Sequence, residues 1–397
     1  MTIRSLFCWF TLSTLAVASA LVSACDQTDT PTGSVGGAAI GGGPGVGGSG
    51  PIVPDPGTTF GFRPNLAPSA ATDAYQLWNG SFVQSCPNGT VRVISRADVT
   101  VSEGIGYGMI LTAIYDAEPT TFEGLWRYYN LSADPLTGFM PWQVTGCEAT
   151  VSDSTPASDA ELDVAMALIL ASCKWGGNYA ADATRMINAI QEYETQVYNG
   201  VTVLRPATTW GGATCTNPSY FSPAYYRAFA LHVPEQAAFW NQFALDTYVV
   251  LNQATNAVTG LVPDWTNWSG DDGCTSAQRE GGYGYDAART PWRIALDHVW
   301  WGTPDAAAWL TTVTNWVAGN GIANVVDGYE VLGTPTGTIH NSVFVGAFAV
   351  GAMTQSQTLV DQFTQDLLGI NDTGYFQLST RALYLATLAG YFNRGCR

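Results

Sequence analysis

Three acidic residues stand at the starts of segments that are apolar on nearly all sides. Glu103 precedes the run GIGYGMIL, Asp159 opens the run AELDVAMAL, and Asp286 lies in the run GYGYDAARTPWR. An acid at the start of a helix is often only a cap or a partner of the helix dipole, and that explanation applies to each of them. If the three converge in one cleft, however, one can donate a proton while another accepts a proton from water. They are therefore candidates for acid and base catalysis.

The surroundings of these acids offer space and aromatic surface. Glycines at 104, 106 and 108 flank Tyr107, and we expect them to leave room for a ligand beside Glu103. The chain has 14 Trp and 18 Tyr. Most aromatics of a globular chain belong to its core, but this many beside abundant acids also suits a protein whose aromatic rings stack on sugars. Two carboxyls in an aromatic cleft are what hydrolysis of a glycosidic bond requires.

The rest of the composition argues against other chemistries. The net charge is −17, and Lys174 is the one lysine among 15 basic residues, so no basic stripe is available for a nucleic acid. The three histidines have no HExxH spacing, and the sequence contains no GxSxG elbow or phosphate-binding glycine loop. We therefore expect no metal, no cofactor and no nucleic-acid partner.

Two kinds of helix alternate along the chain. Segments with apolar residues at the helical period and with internal charges predict outer helices. These segments are 71–82, 121–131, 181–198, 234–253, 304–318 and 355–368. Segments rich in Ala, Gly and bulky apolar residues on nearly all faces predict buried inner helices. These segments are 104–115, 158–174, 223–231, 291–301, 341–353 and 379–391.

Six hairpins of one outer and one inner helix predict an all-α fold, an (α/α)6 barrel with six inner and six outer helices. An open α-solenoid would contain the same hairpins, but it would have repeats of more constant length. In a barrel all inner helices begin on one face, so Glu103, Asp159 and Asp286 would converge there. Beyond one short stretch at 89–94, no strand is predicted.

The first 59 residues predict export rather than fold. Residues 1–24 resemble a signal peptide of the lipoprotein type, because Arg4 precedes an apolar run and the sequence VSAC places Cys25 as the lipidated residue. Residues 25–59 form a tether rich in Gly and Pro, and residues 60–397 form the catalytic domain. We expect an exported, membrane-anchored lipoprotein, periplasmic or on the cell surface. An ordinary signal peptide, giving a secreted protein, is the alternative.

Six cysteines lie in the predicted domain. An even number of cysteines in an exported protein predicts disulfides, whereas buried free thiols are the alternative. The sequence leaves the pairing open. The six residues are Cys86, Cys147, Cys173, Cys215, Cys274 and Cys396.

Five blocks of the chain, in order, resemble glycoside hydrolase family 8, whose bacterial members are inverting endo-glycanases with an (α/α)6 barrel. The resemblance extends from about residue 60 to the end. The blocks are 102–109 (SEGIGYGM), 139–142 (FMPW) after 122–126 (FEGLW), 157–163 (ASDAELD), 217–226 (NPSYFSPAYY) and 285–289 (YDAAR). Glu161 and Val164 depart from the family signature, which usually has Asp and then Ile or Met at those positions.

The resemblance implies a role for each site residue. Glu103 would be the general acid and Asp286 the general base, as in the family branch that contains cellulases and xylanases. Asp159 would hold the distorted sugar where cleavage occurs. Arg289, one turn after Asp286, would keep that base ionised. The residues that would line the sugar subsites are Trp142, Trp210, Tyr220 and Tyr375.

The leading hypothesis is therefore a monomeric glycoside hydrolase that cleaves a β-1,4-linked polysaccharide, either cellulose or β-glucan, or xylan. A non-catalytic glycan-binding surface lipoprotein is the alternative, and a structural α-toroid is a third interpretation. Only the enzyme requires both Glu103 and Asp286. The sequence does not distinguish among the polysaccharides or between endo and exo action.

Overall fold

The computed structural model describes residues 59–271, 274 and 281–396. The predicted signal peptide, the lipidation site Cys25 and the tether up to residue 58 lie outside the described residues. Within those residues, no helix combines the length and the apolar character needed to cross a membrane.

Twelve α-helices form in the described part of the chain, and they alternate between two layers. The outer helices are α1 (Pro68–Phe82), α3 (Thr120–Leu131), α5 (Tyr179–Tyr193), α7 (Ala237–Ala254), α9 (Pro304–Asn320) and α11 (Gln357–Gly369). The inner helices are α2 (Ser102–Tyr115), α4 (Ser158–Trp175), α6 (Pro223–His232), α8 (Thr290–Trp301), α10 (Ser342–Ala352) and α12 (Tyr375–Leu388). Each predicted segment therefore corresponds to one helix of the expected kind.

The inner helices close into a ring. Each inner helix contacts the next one along the chain, and α12 returns to contact α2. The residues of α10 are all buried, as expected for a helix that is apolar on all sides. Closure of the ring confirms the (α/α)6 barrel and excludes the open solenoid.

All seven short strands lie in connections that lead from an outer helix to an inner one. They are β1 (Val83–Ser85), β2 (Val91–Val93), β3 (Val99–Val101), β4 (Gln143–Thr145), β5 (Thr150–Val151), β6 (Thr195–Tyr198) and β7 (Val201–Leu204). They form three small antiparallel sheets, β1–β2, β3–β4–β5 and β6–β7. These connections lie where the inner helices begin, and the strands therefore frame that face of the barrel.

The structure corrects the sequence prediction at several boundaries. Only β2 falls within the predicted strand, because strands of two to four residues are too short to show a clear alternation. The helix predicted at 181–198 ends at residue 193, and β6 follows it. The last inner helix begins at Tyr375, one turn earlier than predicted.

The opposite face is covered by the two ends of the described chain. The backbone N–H of Phe60 donates to the carbonyl of Val299 (3.0 Å), and that of Phe62 donates to the carbonyl of Met353 (2.7 Å). The indole of Trp300 donates to the carbonyl of Phe392 (3.2 Å). The chain therefore enters the barrel across the C-terminal ends of α8 and α10, away from the strands.

The six domain cysteines form three disulfides, as their even number predicts. One of them ties the C-terminal end of α4 to the end of the chain, and the other two join connections on the strand face. The pairs are Cys86–Cys147, Cys173–Cys396 and Cys215–Cys274.

Two carboxyls are buried between α4 and the end of α5. Glu161 and Glu194 are both fully buried, and Glu161 accepts one hydrogen bond from the Tyr129 hydroxyl (3.0 Å). The other carboxyl oxygen of Glu161 and both oxygens of Glu194 have no hydrogen-bond partner among the described residues. Burial raises the pKa of each carboxyl well above its usual range, and Glu161 raises the pKa of Glu194 further. Both are therefore neutral acids in weakly acidic solution.

We expect this pair to make the fold less stable as pH rises. The folded chain keeps protons that the unfolded chain releases above about pH 4.5, so the free energy of unfolding falls by up to about 1.4 kcal/mol per pH unit for each carboxyl. Glu194→Gln should therefore flatten the decline, measured by urea denaturation between about pH 5 and about pH 8. The exposed Glu235→Gln should leave the decline unchanged. An unaltered slope in Glu194→Gln would refute the neutral pair.

Candidate active site

The three acids singled out in the sequence converge on one buried guanidinium. Arg289 donates from Nη1 to Glu103 Oε2 (2.7 Å) and to Asp159 Oδ2 (2.7 Å), and from Nη2 to Asp286 Oδ1 (3.0 Å). Arg289 is 1 % exposed. The sequence paired this arginine with Asp286 alone. In the structure it binds all three carboxyls, which fixes their relative positions.

Helix starts position two of the three acids. Glu103 lies in the first turn of α2, and Asp159 lies in the first turn of the neighbouring α4. Asp286 stands outside α8, because the short 3-10 turn Ala287–Arg289 separates it from that helix. This extra turn also brings Arg289 back under the carboxylate of Asp286.

The glycines after Glu103 make room for protein atoms rather than for a ligand. A Cβ at position 104 would lie 2.6 Å from the hydroxyl oxygen of Tyr375, and one at 106 would lie 2.9 Å from the Cβ of Asp163. Both distances are too short for a real contact. The glycines therefore let α12 and α4 approach α2 closely, which corrects the expectation of an open space at these positions.

Solvent reaches the three carboxyls unequally. The side chain of Asp286 is 37 % exposed, that of Glu103 is 18 % exposed, and that of Asp159 is 3 % exposed. Asp286 also accepts a hydrogen bond at Oδ2 from the indole of Trp265 (3.0 Å). Of the three, Asp286 is therefore the one best placed to touch a water molecule.

Burial controls the protonation of Glu103. Loss of hydration raises its pKa to about 7, with the neighbouring Asp159 and Asp286 carboxyls adding to the rise. The charge of Arg289 and a hydrogen bond from the Tyr375 hydroxyl (3.3 Å) act in the opposite direction. Burial likewise raises the pKa of Asp159, against the charge of Arg289. Glu103 can therefore hold a proton close to neutral pH.

Two of the predicted aromatic residues lie directly against this cluster. Tyr375 donates its hydroxyl to Glu103, and Tyr220 lies with its ring 5.4 Å from the guanidinium carbon of Arg289. Tyr220 is 9 % exposed, so little of its ring can contact a ligand.

Each of the two predicted tryptophans is linked to the cluster through one other residue. Trp142 is 38 % exposed. Its carbonyl accepts a hydrogen bond from the N–H of Ser102, the residue before Glu103 (2.9 Å). Trp210 packs against Trp265, with ring centroids 5.7 Å apart. Trp142 therefore lies against the residue that precedes Glu103, and Trp210 lies against the tryptophan that binds Asp286.

Three residues that complete the cluster were not among the predicted site residues. Trp265 binds Asp286, Ser219 accepts a hydrogen bond from Arg289 Nη2 (2.9 Å), and the ring of Phe376 lies 5.8 Å from the same guanidinium. Ser219 falls inside a block that resembles the family, which was the one available signal. Trp265 is 21 residues from its partner, and no periodicity links the two positions.

Comparison with known proteins identifies relatives of the chain. It is 36 % identical over 304 residues to Endoglucanase 2 of Ruminiclostridium josui, which covers 74 % of this chain and 64 % of that protein. It is 29 % identical over 365 residues to a beta-glucanase of Niallia circulans, and the match covers 84 % of this chain and 88 % of that protein. The chain thus spans about 64 % of the length of Endoglucanase 2.

The fold and the sequence pattern agree on one family. The structure of a beta-1,3-1,4-glucanase from Paenibacillus sp. X4 superposes with a TM-score of 0.79 at 27 % identity, covering 86 % of this chain and 99 % of that one. The family model described as glycosyl hydrolases family 8 matches residues 65–388. The chain, with its closed helical barrel and its carboxyl cluster, belongs to glycosyl hydrolases family 8.

Proposed function

We propose that this protein is an inverting glycoside hydrolase that cleaves β-1,4-linked polysaccharide, with Glu103 as the general acid and Asp286 as the general base. One observation carries the proposal: a carboxyl whose pKa is about 7 and a more exposed carboxylate are bound to the same arginine. Hydrolysis of a glycosidic bond needs a carboxyl that holds its proton near neutral pH and, beside it, a second carboxyl that water can reach.

In the proposed reaction, Glu103 gives its proton to the glycosidic oxygen as the bond to the anomeric carbon breaks. Asp286 takes a proton from a water molecule, whose oxygen forms the new bond from the opposite side of the sugar. The same guanidinium binds Glu103 Oε2 (2.7 Å) and Asp286 Oδ1 (3.0 Å), so the two carboxyls flank one cation, and we expect the wider of the two separations known for glycosidases. An inverting enzyme needs about 6.5–9.5 Å between its carboxyls, which leaves room for the water.

Asp159 acts on the sugar rather than on the proton transfers. Its Oδ1 accepts from the N–H of Ala160 (3.0 Å), and its Oδ2 binds Arg289. A carboxylate held this rigidly next to the acid can orient a hydroxyl of the distorted sugar. Its negative charge also favours the positive charge that develops on the ring.

The names of the relatives support a glucan as substrate and endo action. The relatives include Endoglucanase 2 of R. josui and Endoglucanase A of Acetivibrio thermocellus, at 36 % and 34 % identity. An exo-oligoxylanase of Paenibacillus barcinonensis is 28 % identical over 214 residues, which keeps xylan as the second candidate. A glycan-binding lipoprotein without activity remains the alternative that the first experiment below tests.

We also propose that the protein is exported and anchored by a lipid at Cys25, with residues 25–59 as the tether. The support comes from the sequence VSAC after an apolar run and from the Gly- and Pro-rich stretch that follows.

The mechanism predicts a bell-shaped pH profile and inversion at the anomeric carbon. Activity should be lost as pH rises through about 7, because Glu103 then loses its proton. Glu103→Gln and Asp286→Asn should each lower kcat by roughly 10²- to 10⁴-fold while binding of the glucan is kept. The measurements are reducing-sugar release from soluble cellulose, barley glucan and xylan, and NMR of the fresh product, where the α anomer should appear first.

The control for these two variants is Glu118→Gln, an exposed glutamate between α2 and α3 on the far face. It should keep the wild-type kcat. Appearance of the β anomer first would exclude inversion, and binding of glucan without any sugar release by the wild type would favour the non-catalytic alternative.

Replacing the tryptophans near the cluster should weaken binding rather than stability. A ring stacked on a sugar contributes roughly 1–3 kcal/mol by analogy with stacked bases, so Trp142→Ala and Trp210→Ala should raise KM by roughly 5- to 150-fold. Steady-state kinetics and thermal melting distinguish the two effects. Tyr391, which is 39 % exposed on the opposite face, provides the matched control, and Tyr391→Ala should leave KM unchanged. A large fall in Tm with unchanged KM would assign the tryptophans to the core.

Removing the lipidation site should release the protein from membranes. Cys25→Ala should move it to the soluble fraction with its activity kept, as measured by fractionation and sugar release. Cys8→Ala, inside the apolar run of the signal, should leave it in the membrane fraction. An unlipidated Cys25 in the mass spectrum of the wild type would rule out the anchor.

A further inference from the structure

A fourth carboxyl holds the backbone that carries Asp286. Asp264 Oδ1 accepts hydrogen bonds from the N–H of Gly284 (2.9 Å) and from the N–H of Ala287 (2.7 Å). These two residues lie on either side of Asp286. In addition, the backbone N–H of Asp264 donates to the carbonyl of Gly282 (2.8 Å). One side chain therefore fixes the turn that presents the base.

The residue next to Asp264 holds the side chain of the same base. Trp265 donates its indole N–H to Asp286 Oδ2, while Arg289 donates to Asp286 Oδ1. Residues 264 and 265 thus fix both the backbone and the carboxylate of Asp286. Asp264 therefore binds the backbone around Asp286, whereas Arg289 binds the carboxylate of Asp286. The effect of Asp264 is thus directed at the base.

The four carboxyls in this region cannot all be ionised at the same time. Glu103, Asp159 and Asp286 bind Arg289, and Asp264 lies next to Asp286, so four carboxyls are close together beside this cation. Full ionisation would place a net charge of about −3 in a largely buried cluster, which is strongly unfavourable. Some of these carboxyls must therefore keep a proton at neutral pH.

Asp264 is the carboxyl next to the base that keeps its proton most easily. Burial raises its pKa to about 7, and the charge of Asp286 adds to this rise. The two backbone N–H groups and Arg289 act in the opposite direction, and among the described residues the buried Tyr283 also interacts with Asp264. Asp286 is more exposed and is bound by a charged donor, so it is the better place for the negative charge.

We propose that Asp264 is a positioning residue for Asp286: its neutral carboxyl holds the turn 284–287 and, by carrying a proton itself, leaves Asp286 ionised and able to accept one from water. This inference rests on the proposed function, in which Asp286 is the base. It assigns Asp264 no contact with the substrate.

Two substitutions separate the geometric part from a general loss of structure. The amide in Asp264→Asn keeps an oxygen that can accept both N–H groups, and it resembles a protonated carboxyl. We therefore expect kcat to stay within about threefold of the wild type and the acid limb of the pH profile to stay in place. Asp264→Ala removes the acceptor, so kcat should fall roughly 10- to 100-fold with little change in KM. An equal fall in both variants, or no fall in Asp264→Ala, would overturn the proposal.

A spectroscopic measurement tests the proton directly and does not depend on activity. The infrared difference between the wild type and Asp264→Asn near neutral pH should contain the C=O stretching band of one protonated carboxylic acid, and loss of this band at higher pH should follow the titration of Asp264. A carboxylate band instead would show that Asp264 is ionised and would refute the proposal, even if Asp264→Ala failed to fold. If the wild type released no sugar, the proposed function would fail, while this spectrum would still report on Asp264.

Discussion

The site depends on a positive charge that is buried in the middle of acids. Arg289 is almost completely inaccessible to solvent, and it is tolerated there because three carboxyls surround it. Two of those carboxyls come from the first turns of α2 and α4 and the third comes from the connection before α8, so the arginine also joins these elements at the end where the inner helices begin. One turn further along α8, Arg293 repeats the arrangement with Asp163 of α4, at 2.7 Å. The site and the barrel are therefore stabilised by the same helix.

Burial also links the chemistry of the site to the stability of the fold. The same loss of hydration that gives Glu103 a proton near neutral pH keeps Glu161 and Glu194 neutral between α4 and the end of α5. A helical barrel of this kind brings many acids close to few cations, since the whole chain has 32 acidic and 15 basic residues. Protons rather than counter-ions therefore neutralise part of its interior, and solution pH acts on both activity and folding.

The sequence was most informative where a physical pattern is local. The inner helices could be recognised because a helix that is apolar on all sides must be buried, and Glu103 and Asp159 could be placed because they stand at the starts of such helices. Contacts made by long connections had no such pattern. Nothing local to Asp264 or Trp265 indicates that they meet the turn around Asp286, and the positions of the short strands were equally hidden. The disulfide pairing also required the fold, because it joins residues as distant as Cys173 and Cys396.

The way the chain enters the barrel separates the point of entry from the carboxyl cluster. Residues 60–63 run across the C-terminal ends of the inner helices, whereas the carboxyl cluster lies at their N-terminal ends. The entering segment therefore does not cross the face on which the cluster lies. The backbone N–H groups of Phe60 and Phe62 pair with carbonyls that the C-terminal ends of α8 and α10 would otherwise leave without an intrahelical partner. The segment that brings the chain to the barrel thus also caps two of its inner helices.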